Sequence, residues 1–131
     1  MSKDKGFSIT SAERYSLALY ELSTESSVTA QIEEQSLTIL KLLEQSKDFS
    51  NLIKDPTNSQ DDLLKVVNTI SENYKFDQLL KNFLSFLIQK RRFFFVERIL
   101  KSFIEICSEK RFRSIYSAVL YEILLRVFLD M

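Results

Sequence analysis

Apolar residues recur along this chain at intervals of three and four, the spacing of one face of a helix. Thr10 with Glu13 fits a capping box and places a helix start near Ser11. Ala12, Tyr15, Ala18, Leu19 and Leu22 then share one face, and residues 23–27 form a polar break. A second helix is predicted over residues 28–45, with Ile32, Leu40 and Leu43 in one stripe that Leu37 and Ile39 widen. Asp48 can cap a short third helix carrying Phe49, Leu52 and Ile53. Asp55-Pro56 ends it, because a residue before proline avoids the helical region. Asn58 or Ser59 can cap a fourth helix, with Asp61 and Asp62 at the positive end of its dipole. Its buried face reads Leu63, Leu64, Val67, Ile70 and Tyr74.

Asp77 can cap a fifth helix over residues 78–90 that is apolar nearly all round: Leu79, Leu80, Phe83, Leu84, Phe86, Leu87 and Ile88. A helix without a clean polar face is either central in its bundle or covered by a partner. A sixth is predicted over residues 94–110, with Val96, Ile99, Leu100, Phe103 and Cys107 at core spacing. The pattern is all-α, a compact six-helix bundle with short loops. Residues 114–131 add a further C-terminal helix, striped by Ile115, Val119, Ile123 and Val127. Residues 1–7 read as a polar tail.

Composition agrees. The 131 residues suffice for one domain with a real core. One Gly and one Pro are too few for turn-rich sandwiches, barrels or doubly wound sheets. Lys plus Arg and Asp plus Glu each number 18, which argues against a general polyanion binder.

Candidate chemistry is sparse. The chain has no His, which removes the commonest general base and metal ligand. Cys107 is the only cysteine and lies in an apolar run, so a buried, inert thiol is expected. Glu33-Glu34 and Asp61-Asp62 are adjacent pairs that point apart on a helix, unlike catalytic carboxylates sharing a pocket. The single Gly, Gly6, offers no phosphate-binding loop. No catalytic residue, metal, cofactor or small-molecule substrate is expected. No run of about 18 uncharged apolar residues exists, so nothing is expected to insert in a membrane.

Residues 14–22 carry small and apolar side chains with two tyrosines, Tyr15 and Tyr20. Small residues admit a close helix, and tyrosines suit half-wet contacts. This run resembles the opening helix of the ATP synthase delta subunit, called the oligomycin-sensitivity-conferring protein in mitochondria. Leu52-Ile53-Lys54-Asp55-Pro56 followed by Lys65 resembles that family's short helix and proline turn. Asn82-Phe83-Leu84 with Arg91 or Arg92 resembles its fifth helix, and Ile99, Phe103 and Glu109 its sixth. The resemblance covers about residues 8–110.

It implies an N-terminal helical-bundle domain over residues 1–110, and with it a non-catalytic peripheral-stalk (stator) subunit of a proton-translocating F-type ATP synthase. Such a bundle caps the catalytic head and binds N-terminal helices of alpha subunits, in a groove between its first and fifth helices. By position the groove residues are Tyr15, Ala18, Leu19, Leu22, Asn82, Phe83 and Phe86. The family's second domain grips the b-subunit stalk. With no transit peptide evident, the resemblance points to a bacterial protein, peripheral on the cytoplasmic side of the inner membrane.

After Lys110 the chain departs from the family's pattern. The expected glycine, strand and second domain are replaced by residues 111–131, a divergent segment whose apolar ending fits a truncated or frame-shifted reading frame. On that reading the chain caps the head without tethering the b stalk. An alternative rests on Lys90-Arg91-Arg92 and Lys110-Arg111-Arg113, with Phe93, Phe94 and Phe95 as stacking rings. It is an all-α RNA-binding module of the antitermination-factor kind, or a generic helical protein-interaction module. The plainer reading of those cations is positive charge at helix C-termini.

Overall fold

The computed structural model describes residues 9–130, with the backbone alone at 9 and 10. The tail expected over residues 1–7 lies outside them. Six α-helices follow in order: α1 (Ile9–Glu25), α2 (Thr29–Gln45), α3 (Lys47–Lys54), α4 (Gln60–Tyr74), α5 (Gln78–Gln89) and α6 (Val96–Leu129). A 3₁₀ turn over Phe93–Phe95 joins the last two. Among the described residues there is no strand.

Three helix starts are set by side chains that satisfy orphan backbone donors. Ser46 accepts from the Phe49 N–H at 3.2 Å, so the cap of α3 is Ser46 rather than Asp48, which sits in its first turn. Ser59 caps α4 by accepting from the Asp62 N–H at 3.1 Å. Asn58, the other candidate, instead donates its Nδ2 to the Leu52 carbonyl at 2.7 Å. Asp77 caps α5 as expected, with Leu79 N–H to Oδ1 at 2.9 Å. The capping box does not hold, because Thr10 is already helical. Nor does α1 break at Ser23: it runs to Glu25, with the Ser23 hydroxyl donating to the Tyr20 carbonyl at 2.9 Å.

Asp55 ends α3 in extended conformation ahead of Pro56. Its Oδ1 accepts from the Thr57 hydroxyl at 2.6 Å and the Thr57 N–H at 2.9 Å. The hydroxyl first, then the amide, hold its carboxyl below the usual range. With glycine missing from the turns, left-handed backbone falls to Ser27, Lys75 and Arg91, at φ 58°, 54° and 58°.

The first half of α6 is the axle. Val96, Ile99, Leu100, Phe103 and Cys107 are buried, and α6 packs against α1 and α2 while α5 packs against α4. The core side of α2 is Ile32, Ser36, Ile39 and Leu43, so Ile39 belongs to the centre of the stripe and Leu37 is exposed. In α4, Val67 and Ser71 are buried while Tyr74 is exposed.

The largest departure is at the C-terminus. A sixth helix ending near residue 110 and a separate one from 114 are instead a single 34-residue helix, about 51 Å long at 1.5 Å per residue. Residues 111–114 contain no Gly or Pro to interrupt it. Residues 108–130 are exposed throughout.

Candidate partner-binding groove

Two faces of α1 do different work. Ala12, Ser16, Leu19 and Ser23 recur at spacings of four, three and four and are all buried. Ser11, Tyr15, Ala18 and Leu22 recur at the same spacings, rotated by one position, and look outward and toward α5. Ser16 on the inner face lets α6 approach closely, and the neighbouring face carries Tyr15 to α5.

The Tyr15 and Phe86 rings meet there, with centroids 6.3 Å apart and planes at 56°. Phe86 remains 42% exposed, while Leu80, Phe83, Leu84, Leu87 and Ile88 of the same helix are core. Above the two rings lies an open groove of about 380 Å³ lined by Ser11, Arg14, Tyr15, Ala18, Phe86 and Arg92. Lys90 holds its ammonium 5.7 Å from the Phe86 ring centroid, within cation–π range.

Of the seven residues expected to bind a partner, the structure brings Tyr15, Ala18 and Phe86 together at this groove. Leu22 and Asn82 are exposed on the same two helices, Asn82 accepting from the Gln78 side-chain amide at 2.8 Å. Leu19 and Phe83 lie beneath, buried in the core at 0% and 6% exposure. These two depart from the expectation, because a helix resting on this surface cannot reach them without opening the bundle. The lining residues that periodicity missed are Ser11, Arg14 and Arg92. Ser11 and Arg14 each sit one turn before Tyr15 and Ala18, a spacing that was available. Arg92 follows a left-handed residue in a turn, where helical spacing carries no information.

A larger concavity, about 640 Å³, lies elsewhere, between α1, α6 and the end of α3. Its walls alternate acids and bases, Glu13, Glu97 and Glu105 against Lys54, Arg98 and Lys101. Glu97 already pairs with Lys101 at 3.3 Å and Lys54 at 3.9 Å. A mixed, self-neutralised surface suits an apolar partner less well than the smaller groove, despite its size.

The remaining chemistry is quiet. Burial, helped by the Glu33 charge and opposed by that of Arg111, pushes the Cys107 thiol up to about 11. It is a buried thiol and no nucleophile at neutral pH. Among the described residues no three His, Cys, Asp or Glu side chains could hold a metal ion together. Phe93 is buried and Phe95 half-buried with Phe94 edge-on at 4.9 Å, so the three rings build a turn rather than a stacking platform. Two cations of the second basic cluster are paired, Arg111 with Glu33 and Arg113 with Glu109. No helix among the described residues is long and apolar enough to cross a membrane.

Comparison with known proteins adds a family. Residues 12–121 match the model of the ATP synthase delta (OSCP) subunit. ATP synthase subunit delta of Pelagibacter ubique is 60% identical over 111 residues, covering 85% of this chain and 60% of that protein. The subunit delta of Rhodospirillum rubrum is 30% identical over the same shares. That of a Chelativorans strain is 33% identical over 100 residues, 76% of this chain and 54% of the relative. The chain thus spans little more than half the length of these relatives. A chain of the Toxoplasma gondii mitochondrial ATP synthase hexamer shares the fold, with a TM-score of 0.67 at 24% identity, over 70% of this chain and 51% of that one.

Proposed function

The chain belongs to the ATP synthase delta (OSCP) subunit family, and on that premise we propose that it is a non-catalytic peripheral-stalk subunit whose α1–α5 groove receives an N-terminal helix of an alpha subunit of the catalytic head. The carrying observation is the Tyr15–Phe86 ring contact at 6.3 Å beneath an exposed Ala18. Two ring faces supply an apolar floor, and a methyl side chain lets a helix backbone come close. An amphipathic helix laid there buries its stripe without any rearrangement of the core.

The work is mechanical. A stator resists rotary torque, which calls for slow dissociation, and buried apolar anchors set dissociation rates. The bundle over residues 1–110 is the head-binding unit of this proposal, and α6 continues beyond it into an exposed extension. The b-subunit stalk is not assigned to any surface of the bundle. The placement is peripheral, on the cytoplasmic side of a bacterial inner membrane, in keeping with the bacterial relatives.

The test is calorimetric titration with a peptide of the alpha-subunit N-terminus. Wild type binds, and Ala18→Glu abolishes binding while its thermal melting stays the same, because position 18 is exposed. Unchanged binding by Ala18→Glu overturns the assignment of this face.

A further inference from the structure

The extension of α6 carries most of the apolar surface that the bundle leaves uncovered. Twelve of the eighteen exposed large apolar side chains among the described residues lie between Phe112 and Leu129, each 43–73% exposed. Large side chains of this kind carry about 150–250 Å² each, so at half exposure the twelve present about 1,000 Å². The largest apolar patch of an ordinary monomer is about 300–600 Å². A stable dimer buries about 800 Å² on each partner. The extension exceeds the first figure and meets the second.

The bundle itself does not cover this surface. Residues 108–131 hold no Gly or Pro, so nothing turns the helix back onto α1 or α2. Nor does the helix qualify as a membrane span, with Glu122 and Arg126 inside its apolar run. These charges are settled within the helix: Arg126 pairs with Glu122 at 3.1 Å and Arg113 with Glu109 at 3.3 Å. The extension therefore demands no charged partner, only an apolar one.

The order of side-chain sizes says which. Phe112, Tyr116, Val119, Leu120, Ile123 and Val127 fall within one sector of the helix about 100° wide. Bulk is at one end of this stripe, where the Phe112 and Tyr116 rings stack with centroids 6.2 Å apart and planes at 19°. The β-branched Ile123 and Val127 are at the other. We propose that the stripe is a homodimer interface, in which the α6 extensions of two copies pack antiparallel about a two-fold axis between Val119 and Leu120. One register then sets Phe112 opposite Val127, Tyr116 opposite Ile123 and Val119 opposite Leu120. Every layer matches a larger side chain with a smaller one, as close packing requires. A parallel pair sets ring on ring at one end and valine on valine at the other, so its layers cannot be equally filled. The same patch serves both copies, which closes the assembly at two. Each bundle lies beyond the tip of the other copy's helix, so the α1–α5 groove stays open in the dimer.

Sedimentation of the full chain at about 100 µM, where mass action favours association, is expected to give twice the mass of one chain. Leu120→Asp, at the centre of the stripe, is expected to give the monomer with its helical circular dichroism kept. Leu37→Asp, at an equally exposed leucine on α2, stays dimeric. Chains carrying Tyr116→Cys and chains carrying Ile123→Cys, mixed in a glutathione redox buffer, cross-link to each other and not to themselves. A disulfide spans Cα atoms about 4.4–6.8 Å apart, and in the antiparallel register like positions are offset by about 10 Å along the axis. Cys107, being buried, takes no part. A monomeric wild type overturns the proposal, whether it stays in solution or floats with phosphatidylglycerol vesicles, where lipid covers the helix instead. A dimer that survives Leu120→Asp, a species larger than two, or cross-linking of Tyr116→Cys to itself overturns it equally. None of these results bears on the groove, which lies on other helices.

Discussion

Ser16 on α1 and Ile99 on α6 are joined by a hydrogen bond of 2.7 Å from the serine hydroxyl to the isoleucine carbonyl. The same hydroxyl lies 2.8 Å from the Ala12 carbonyl one turn earlier, so a single proton is shared between two acceptors. A side chain this short reaches a neighbouring helix backbone only when the two helices nearly touch. Ser16 therefore marks a close approach of α1 and α6, with both residues fully buried.

Substitution at position 16 should separate size from polarity. Ser16→Ala loses one shared hydrogen bond and costs about 1 kcal/mol. Ser16→Leu forces the helices apart and costs more, about 1–3 kcal/mol or above, as overpacking does. Urea unfolding of both variants measures the difference. Equal effects would mean that α1 and α6 are not in close contact here.

Leu19 and Ala18 are adjacent residues on opposite errands. Leu19→Ala removes a fully buried side chain and is expected to destabilise by about 2–5 kcal/mol. Ala18→Glu, on the exposed face, should stay within about 0.5 kcal/mol of wild type. Thermal melts of the pair check which face of α1 is core.

Cys107 should resist alkylation. At pH 8 its thiol is protonated and buried, so iodoacetamide reacts slowly with native protein and rapidly in denaturant. The sign of the pH effect follows from a value raised from the ordinary 9.0 to about 11. Below 9.0 both folded and unfolded thiols are protonated and stability is unaffected. Between 9.0 and about 11 only the unfolded chain releases its proton, and stability falls as pH rises. Cys107→Ala should remove this alkaline slope, at the cost of a small cavity.

Lys75 ends α4 at φ 54°, a conformation that costs a residue bearing a Cβ. Lys75→Gly relieves about 1–2 kcal/mol of that strain and loses about 0.5–1 kcal/mol of backbone entropy. A net gain of up to about 1 kcal/mol is expected in chemical denaturation. A loss would show that Lys75 contributes contacts beyond its backbone.

The distal half of α6 should be dispensable for the bundle. Beyond Tyr116 every described side chain is exposed, including Leu124, Phe128 and Leu129. A chain ending at Tyr116 keeps the bidentate Arg111–Glu33 pair at 3.0 and 3.2 Å. Its melting temperature should match that of the full chain, and its self-association at high concentration should fall because a large apolar surface is gone. A marked drop in melting temperature would assign the distal helix a part in the fold.

Much of this fold is written in local chemistry. Apolar spacing set the first five helices and the start of the sixth, since periodicity and few breakers act within a single element, but it split the long sixth helix in two. Asp77, Pro56 and Ser59 could be located because a cap or a proline acts on its immediate neighbours. Cys107 could be read as buried because its flanks are apolar on the core stripe. What spacing could not decide was which of two adjacent stripes faces inward. Ala12, Tyr15, Ala18, Leu19 and Leu22 looked like one face of α1, but tertiary packing turned Ala12 and Leu19 to α6 and left Ala18 and Leu22 in solvent. Ser16 became core because closeness between helices, not hydrophobicity, selects a small side chain there. The pairing of Tyr15 with Phe86 and the gathering of Arg14 with Arg92 join residues more than seventy positions apart, and only the packing of α1, α5 and α6 brings such distant segments to one groove.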